Sequence, residues 1–382
     1  MKIMLLTRSM AVGGAQRQLC VLCRELMRDG HDVSVLVYYS GDPLHADLTN
    51  LGVPVVDLRK QGRWRNFAFL WRLVRTVRHA KPDVIYAHLP APNLLALMLK
   101  YLGCGAAIVC GVRASGMNVA RTEWLTRLTL WLERRLVPRA DLVIANSRVG
   151  AHYISRGTAP TIVDVIENGI DTQAFAFDTE GRHRMRADWG ATETTAVIGC
   201  VARLDPMKDH TTLLHAFSLL LRALPGARLV CVGTFAEPYH SRLLALAGQL
   251  LPADSVKWIE REPRLSDVYS GLDALCLTSA YGEGFPNVVA EAMACGVPCV
   301  ATDVGDTARI LSSADFLVPV GDREAIARAL LAALKQGRTF SQLRREKIET
   351  QFSPRRLAER TEAALTKALL RRNARMAYGD CT

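Results

Sequence analysis

Residues 279–298 read SAYGEGFPNVVAEAMACGVP, and the rest of the chain is organised around them. The stretch begins in a Gly-rich loop after an apolar run, Asp273 to Thr278, that reads as a buried strand, and it passes into a helical pattern from about Asn287. The helix is predicted to end at Gly296, with Pro298 behind it as a stop. Glu283 and Glu291 do not share one rigid helix, because Gly284 and Pro286 keep the first carboxylate in the loop. One acid then lies over the helix N-terminus while the other projects from about a turn inside. From Phe285 through Pro286 and Asn287 to Val288, the backbone NH groups not used by the helix point at whatever anion docks there. Two acceptors flanking an anion site suit a ligand with phosphate in the middle and hydroxyls at both ends, the layout of a nucleotide sugar. Taken alone, the same residues also suit a plain turn and a capped helix.

Working outward, 382 residues exceed what one core supports and suit two domains. Apolar residues at 49% and charged residues at 22% are ordinary for a globular protein. The ten cysteines are scattered, several of them inside apolar strand-like runs where a thiol behaves as a small hydrophobe. Cys20 and Cys23 form a lone CxxC without a second pair, so no zinc site is expected. Apolar runs recur at 2–7, 31–37, 54–58, 83–87, 106–110, 141–145, 161–166, 196–202, 228–233, 256–259, 273–278, 298–302 and 316–320, with helical patterns between them. Strand and helix in turn imply mostly parallel sheets covered on both faces, with ligands at the carboxyl ends of the strands. From Asn168-Gly169 to about residue 195, charge, glycine and short polar runs show no periodicity, which reads as a linker.

Candidate residues collect at these strand ends. After the first run, Gly13 and Gly14 let backbone approach a ligand without a Cβ in the way. His88 follows Val84-Ile85-Tyr86, and Arg113 and Ser115 follow the next run as acceptor or phosphate contacts. A lone histidine is as readily a structural hydrogen-bonder, and a lone arginine a partner for a surface carboxylate. In the second half, Arg203 and Lys208 flank a turn with Asp205-Pro206, offering a fork donor and a point charge to adjacent phosphates.

Together these motifs resemble the retaining GT-B glycosyltransferases of family 4, group 1. Glu283 and Glu291 are similar to that family's Glu-x7-Glu signature, Arg203 and Lys208 to its Arg-x4-Lys, His88 to its His-x-Pro and Gly13-Gly14 to its Gly-Gly-Ala-Glu loop. Gln16 stands where Glu is common, Thr234 replaces a glycine, and Glu260-Arg261 stand where Leu-Gly is frequent. The resemblance implies two doubly wound, Rossmann-like parallel-sheet domains facing a central cleft. The acceptor-binding domain would span 1–168 and the nucleotide-sugar-binding domain 196–352. A linker at 169–195 would join them, and a C-terminal helix and tail, 353–382, would cross back to the first domain. It further implies that Glu283 contacts hydroxyls of the transferred sugar, Glu291 the ribose, Arg203 and Lys208 the diphosphate, and that His88 lies near the sugar. The catalytic set would be His88, Glu283, Arg203 and Lys208. Gly13, Gly14, Gly284, Phe285, Pro286, Asn287, Val288 and Glu291 would complete the donor site. No metal or other cofactor is expected, since no DxD pair stands out and the cations would serve instead. The implied reaction moves a hexose or N-acetylhexosamine from a nucleotide sugar, by expectation a UDP-sugar, to an acceptor hydroxyl on a lipid-linked saccharide in polysaccharide or glycoconjugate synthesis. A nucleotide-sugar 2-epimerase and a non-catalytic sugar-nucleotide-binding partner are the alternatives on the same fold.

The net charge of +11 asks for an anionic partner. Residues 63–81 place Phe67, Leu70, Trp71, Val74 and Val77 at helical spacing among arginines, and residues 121–139 do the same with Trp124, Leu125, Leu128, Trp131 and Leu132. Both suit helices lying on an anionic bilayer. Nucleic acid is not expected, because no zinc module or RNA-recognition signature is present. The start of the chain does not read as a signal peptide and no run is long enough to span a bilayer, so a cytoplasmic protein peripheral to the inner face of the membrane is expected.

Overall fold

The structure, a computed structural model, describes residues 1–11, 13–62, 67–113, 124–155 and 163–378. The chain divides into two compact units, Met1–Gly169 with Pro354–Thr382, and Ile170–Ser353.

The first unit is a parallel sheet of β1 (Lys2–Thr7), β2 (Asp32–Val37), β3 (Val55–Asp57), β4 (Val84–His88), β5 (Ala107–Val112), β6 (Leu142–Ala145) and β7 (Val163–Val165). Its order is β3-β2-β1-β4-β5-β6-β7, so the winding reverses between β1 and β4. Strands buried on both faces need apolar residues at every position, which is why they stand out as unbroken apolar runs. One face is covered by the helices Gly14–Arg28 and Pro354–Tyr378 through Leu19, Leu22, Leu26, Leu357, Ala364 and Leu365. The other is covered by Phe69, Leu73, Val77, Ala96 and Leu97 of the helices Phe67–Ala80 and Pro90–Tyr101. The long last helix is fixed by charge as well as packing. Arg355 pairs with Asp29, Arg360 with Glu167, and the Lys367 ammonium lies 2.9 Å from Asp164.

The second unit holds β8 (Val197–Val201), β9 (Arg228–Val232), β10 (Val256–Ile259), β11 (Ala274–Leu277), β12 (Cys299–Thr302) and β13 (Phe316–Val318) in the order β10-β9-β8-β11-β12-β13. All pairs are again parallel. The winding reverses between β8 and β11, so the loops leaving these two neighbours are brought together. One carries Arg203 and Lys208, and the other carries Glu283.

One expectation is revised. The span 169–195 is not an unstructured linker: it contains the helix Thr179–Asp188, and from Ile170 onward it belongs to the second unit. Asp178 caps this helix by accepting from the NH groups of Glu180 and Gly181. Met185 and Trp189 bury against the second core, while Arg182 and Arg184 pair with Asp273 and Asp267. Held largely by ionic partners, the helix shows no apolar stripe. In the helix Phe67–Ala80, Phe69, Leu73 and Val77 are buried, whereas Phe67 and Trp71 are exposed. Apolar residues wrap further round this helix than the sheet can cover, and Phe69 wins its place by packing edge-on against Tyr38 at 4.9 Å.

Candidate functional site

In the second unit, β8 ends at Val201 and leads through exposed Arg203 into a single 3-10 turn, Pro206–Lys208. Asp205 caps the turn by accepting from the Met207 NH, and Asp209, at φ +47, caps the following helix. The Thr278 hydroxyl donates to the carbonyls of Lys208 and Asp209 at 2.9 and 3.1 Å, and the Ala280 NH donates to the Met207 carbonyl at 2.8 Å. These bonds lock the two loops together. Across them the Lys208 ammonium donates to Glu283 Oε1, which also accepts from the Ser279 hydroxyl. Lys208 and Glu283 keep only 14% and 7% of their side-chain surface exposed, so the pair is largely desolvated.

The Glu283-Gly284 turn is backed by Val304–Asp306. Gly305 sits at φ +67, and a Cβ there would come within 2.5 Å of the Glu283 carbonyl oxygen, so only glycine lets this backbone approach so closely. The helix then runs Asn287–Ala294, with Pro286 at its N-cap providing no side-chain acceptor. Phe285 is buried edge-on against Phe352 at 5.2 Å, so it contributes backbone rather than side chain to the helix mouth. Asn287 is buried and Val288 half-buried. Glu291 is 2% exposed, and its Oε2 accepts from the Tyr269 hydroxyl at 2.7 Å. The Cys295 and Gly296 turn ends the helix, Gly296 taking φ +74.

In the first unit, Gly13 is the N-cap of the helix Gly14–Arg28. Gln16 folds back over it, its Oε1 standing 2.7 Å from where a Cβ on residue 13 would lie. His88 is the last residue of β4, opposite Gly111 of β5, and is 2% exposed. Neither ring nitrogen has a hydrogen-bond partner among the described residues, and the ring packs on Tyr86 at 4.3 Å. Burial, helped by the charge of Arg113, pushes its pKa well below the usual histidine value, so the imidazole is neutral. Arg113 donates to Asn168 Oδ1 at 3.1 Å and to the Tyr86 hydroxyl at 2.9 Å, and among the described residues it pairs with no carboxylate. Ser115 lies outside the described residues, as do 63–66 and 121–123 at the starts of the two Arg/Trp-rich segments.

Several supporting residues carried no sequence signal. Tyr269, Ser279 and Thr278 read as core or loop, yet they aim Glu291 and Glu283 and fasten Lys208. Asn93 reads as helix interior, but its amide donates to the Gly111 carbonyl at 3.0 Å and to buried Glu133 at 2.8 Å, and its Oδ1 accepts from the Gly111 NH at 3.2 Å. It therefore fixes the strand end beside His88. Burial raises the Glu133 carboxyl to about 7. Among the described residues, no cluster of His, Cys, Asp or Glu could hold a metal ion.

Two family models match in succession: Glycosyltransferase Family 4 over residues 12–174 and Glycosyl transferases group 1 over residues 181–350. A D-inositol 3-phosphate glycosyltransferase of Segniliparus rotundus is 34% identical over 45% of this chain and 39% of its own length. One from Kribbella flavida is 30% identical over 52% and 50%. The matches thus span half or less of these curated relatives. Among solved structures, Anabaena HepE in complex with UDP-glucose superposes with a TM-score of 0.84 at 22% identity, covering 96% of this chain and 99% of that one. Sucrose-phosphate synthase from Thermosynechococcus elongatus gives 0.79 at 21% identity, covering 96% and 98%.

Proposed function

Because the chain belongs to the family 4, group 1 glycosyltransferases and has their GT-B fold, we propose that it is a retaining, metal-independent hexosyltransferase. It would take a hexose or N-acetylhexosamine from a UDP-sugar. The observation that carries this reading is the joined pair of loops at the β8–β11 switch point. There Lys208 and Glu283 meet beside Arg203 and the uncapped start of the helix that bears Glu291. The donor diphosphate takes the place of the Glu283 carboxylate on Lys208 and adds Arg203 and the helix NH groups. Glu283 is thereby released to the sugar hydroxyls, and Glu291, aimed by Tyr269, accepts from the ribose. In the first unit, His88 and the Gly13-Gly14 turn are the proposed sugar contacts, and Arg113 and Ser115 the acceptor contacts. Neutral, and with neither buried nitrogen partnered among the described residues, His88 would gain a hydrogen bond from a sugar hydroxyl.

In the proposed reaction the acceptor oxygen bonds to the anomeric carbon on the face from which the UDP oxygen departs. The hydroxyl proton passes to that departing phosphate oxygen, and Arg203, Lys208 and the helix NH groups stabilise its growing charge. The relatives' printed acceptor is an inositol phosphate, whereas exposed aromatic and basic residues favour a lipid-linked one here. Phe67 is 93% exposed and Trp131 55%, and Arg75 and Arg135 lie over the Trp71 and Trp131 rings at 5.0 and 5.5 Å. That surface would hold the protein at the inner face of the cytoplasmic membrane; among the described residues no helix is long and apolar enough to cross it.

The test is transfer from a UDP-sugar panel, in excess EDTA, to lipid-linked saccharides and to inositol 3-phosphate, with the product anomer read by NMR. An inverted anomer refutes retention, and complete loss of activity in EDTA refutes metal independence. Epimerised donor in the absence of acceptor would establish the epimerase instead.

A further inference from the structure

At the opposite end of the second sheet from the diphosphate loops, a cavity of about 420 Å³ opens beside Ala196 and Asp273, the residues that precede β8 and β11. Its walls include Phe177, Arg182, Glu193, Thr195 and Arg338. No motif pointed to it.

Two guanidinium groups, Arg182 and Arg338, line it, and a third, Arg186, lies behind Asp273. Arg186, 1% exposed, donates to Asp273 Oδ2 at 3.0 Å and to the carbonyls of Gly271, Thr192 and Thr195. Arg182 reaches the other oxygen of Asp273 at 3.1 Å and Glu193 at 3.0 Å. Arg338 lies over the Phe177 ring at 4.3 Å and donates to the carbonyls of Cys295, Tyr269, Ser270 and Leu272. Among the described residues it has no carboxylate within ion-pair distance. Three fixed positive charges therefore face two carboxylates, and Glu193, with 55% of its side chain exposed, is a weak counter-charge. Burial and the nearness of Arg182 bring Arg338 down to about 10, as expected of a cation short of neutralisation, yet it remains charged at neutral pH.

A guanidinium without a carboxylate partner, beside an open cleft, favours an anion that supplies the missing charge. We propose that this cavity binds a small anionic metabolite whose phosphate or carboxylate head group lies against Arg338 and Arg182 and whose hydroxyls meet Thr195. The site is separate from the donor loops and stands whether or not the transferase reading does.

Isothermal titration of the full chain with glucose 6-phosphate, gluconate and glucose, at matched ionic strength and with saturating UDP, tests it. The same titrations in Lys208→Met disable the diphosphate loop whether or not UDP binds, so failure of the donor assignment is read separately. One anion is expected to bind at a single site in both proteins, glucose is not, and the better of the two anions identifies the head group. Arg338→Lys should weaken binding at least tenfold by removing the fork. Glu193→Gln, exposed and nearly isosteric, should tighten it several-fold by removing a competing carboxylate, and it keeps the proposal testable if the arginine variant does not fold. No binding of either anion, binding lost in Lys208→Met, or an affinity that Glu193→Gln leaves unchanged would overturn the proposal.

Discussion

Replacing Lys208 by Met would remove the Lys208 ammonium from the Glu283 carboxylate, which is 7% exposed. Removing one partner of a buried ion pair typically costs about 3–5 kcal/mol, because the other charge stays desolvated. Glu283→Gln should cost less, roughly 1–2 kcal/mol, since the remaining ammonium is the more exposed partner and the amide can still accept from Ser279. The double variant buries no charge and should recover about 2–3 kcal/mol relative to the sum of the singles. For a unit of this size each kcal/mol moves the melting temperature by roughly 2–4 °C, so differential scanning calorimetry resolves the cycle. The two units need not melt together, and the transition assigned to Ile170–Ser353 is the one to follow. UDP affinity should behave differently: it should fall in Lys208→Met and stay low in the double variant, since restored packing does not restore the proposed phosphate contact. Strictly additive melting shifts would refute the desolvated pair, and recovered UDP binding in the double variant would refute the role given to Lys208.

Tyr269→Phe removes one hydroxyl 2.7 Å from Glu291. It should cost about 1.5–3 kcal/mol in stability and weaken UDP roughly tenfold by freeing the carboxylate to rotate, whereas unchanged UDP binding would count against Glu291 as the ribose contact. Glu133 is raised from 4.5 to about 7 by burial, so the folded state holds its proton more tightly than the unfolded one. The stability this gives is complete below about 4.5 and declines as pH rises through 7, by roughly 3 kcal/mol in all. Glu133→Gln should flatten that decline in urea titrations between pH 4.5 and 8, and an unaltered slope would contradict it. Flotation on anionic vesicles should exceed that on neutral ones and drop when Trp71 and Trp131 are both changed to Ser, while equal recovery on the two lipids would remove the membrane surface.

The sheets were legible because a strand covered on both faces is an unbroken apolar run: the first predicted run is β1 residue for residue, Lys2–Thr7. The start of the helix at Asn287 was legible from Pro286, and its end from Gly296. Elements held by distant polar partners were not. The helix Thr179–Asp188 depends on Asp267 and Asp273, some ninety residues away, and nothing local announces them. The same holds around the candidate site. Arg203, Lys208, Glu283 and Glu291 form a recognisable spacing, but what aims and fastens them, Tyr269, Thr278 and Gly305, is set by chain packing. Gln18 likewise looked like an ordinary helix residue, although its amide both donates to and accepts from the Gly169 backbone at 2.9 Å.

The first unit is assembled from both ends of the sequence, whereas the second is one continuous segment. On a ribosome, then, the piece encoded in the middle can finish folding while the piece encoded first still lacks Leu357, Ala364 and Leu365 for its core. Until the last helix emerges, the helix Gly14–Arg28 lacks the neighbour it packs beside, an interval in which a chaperone has something to hold.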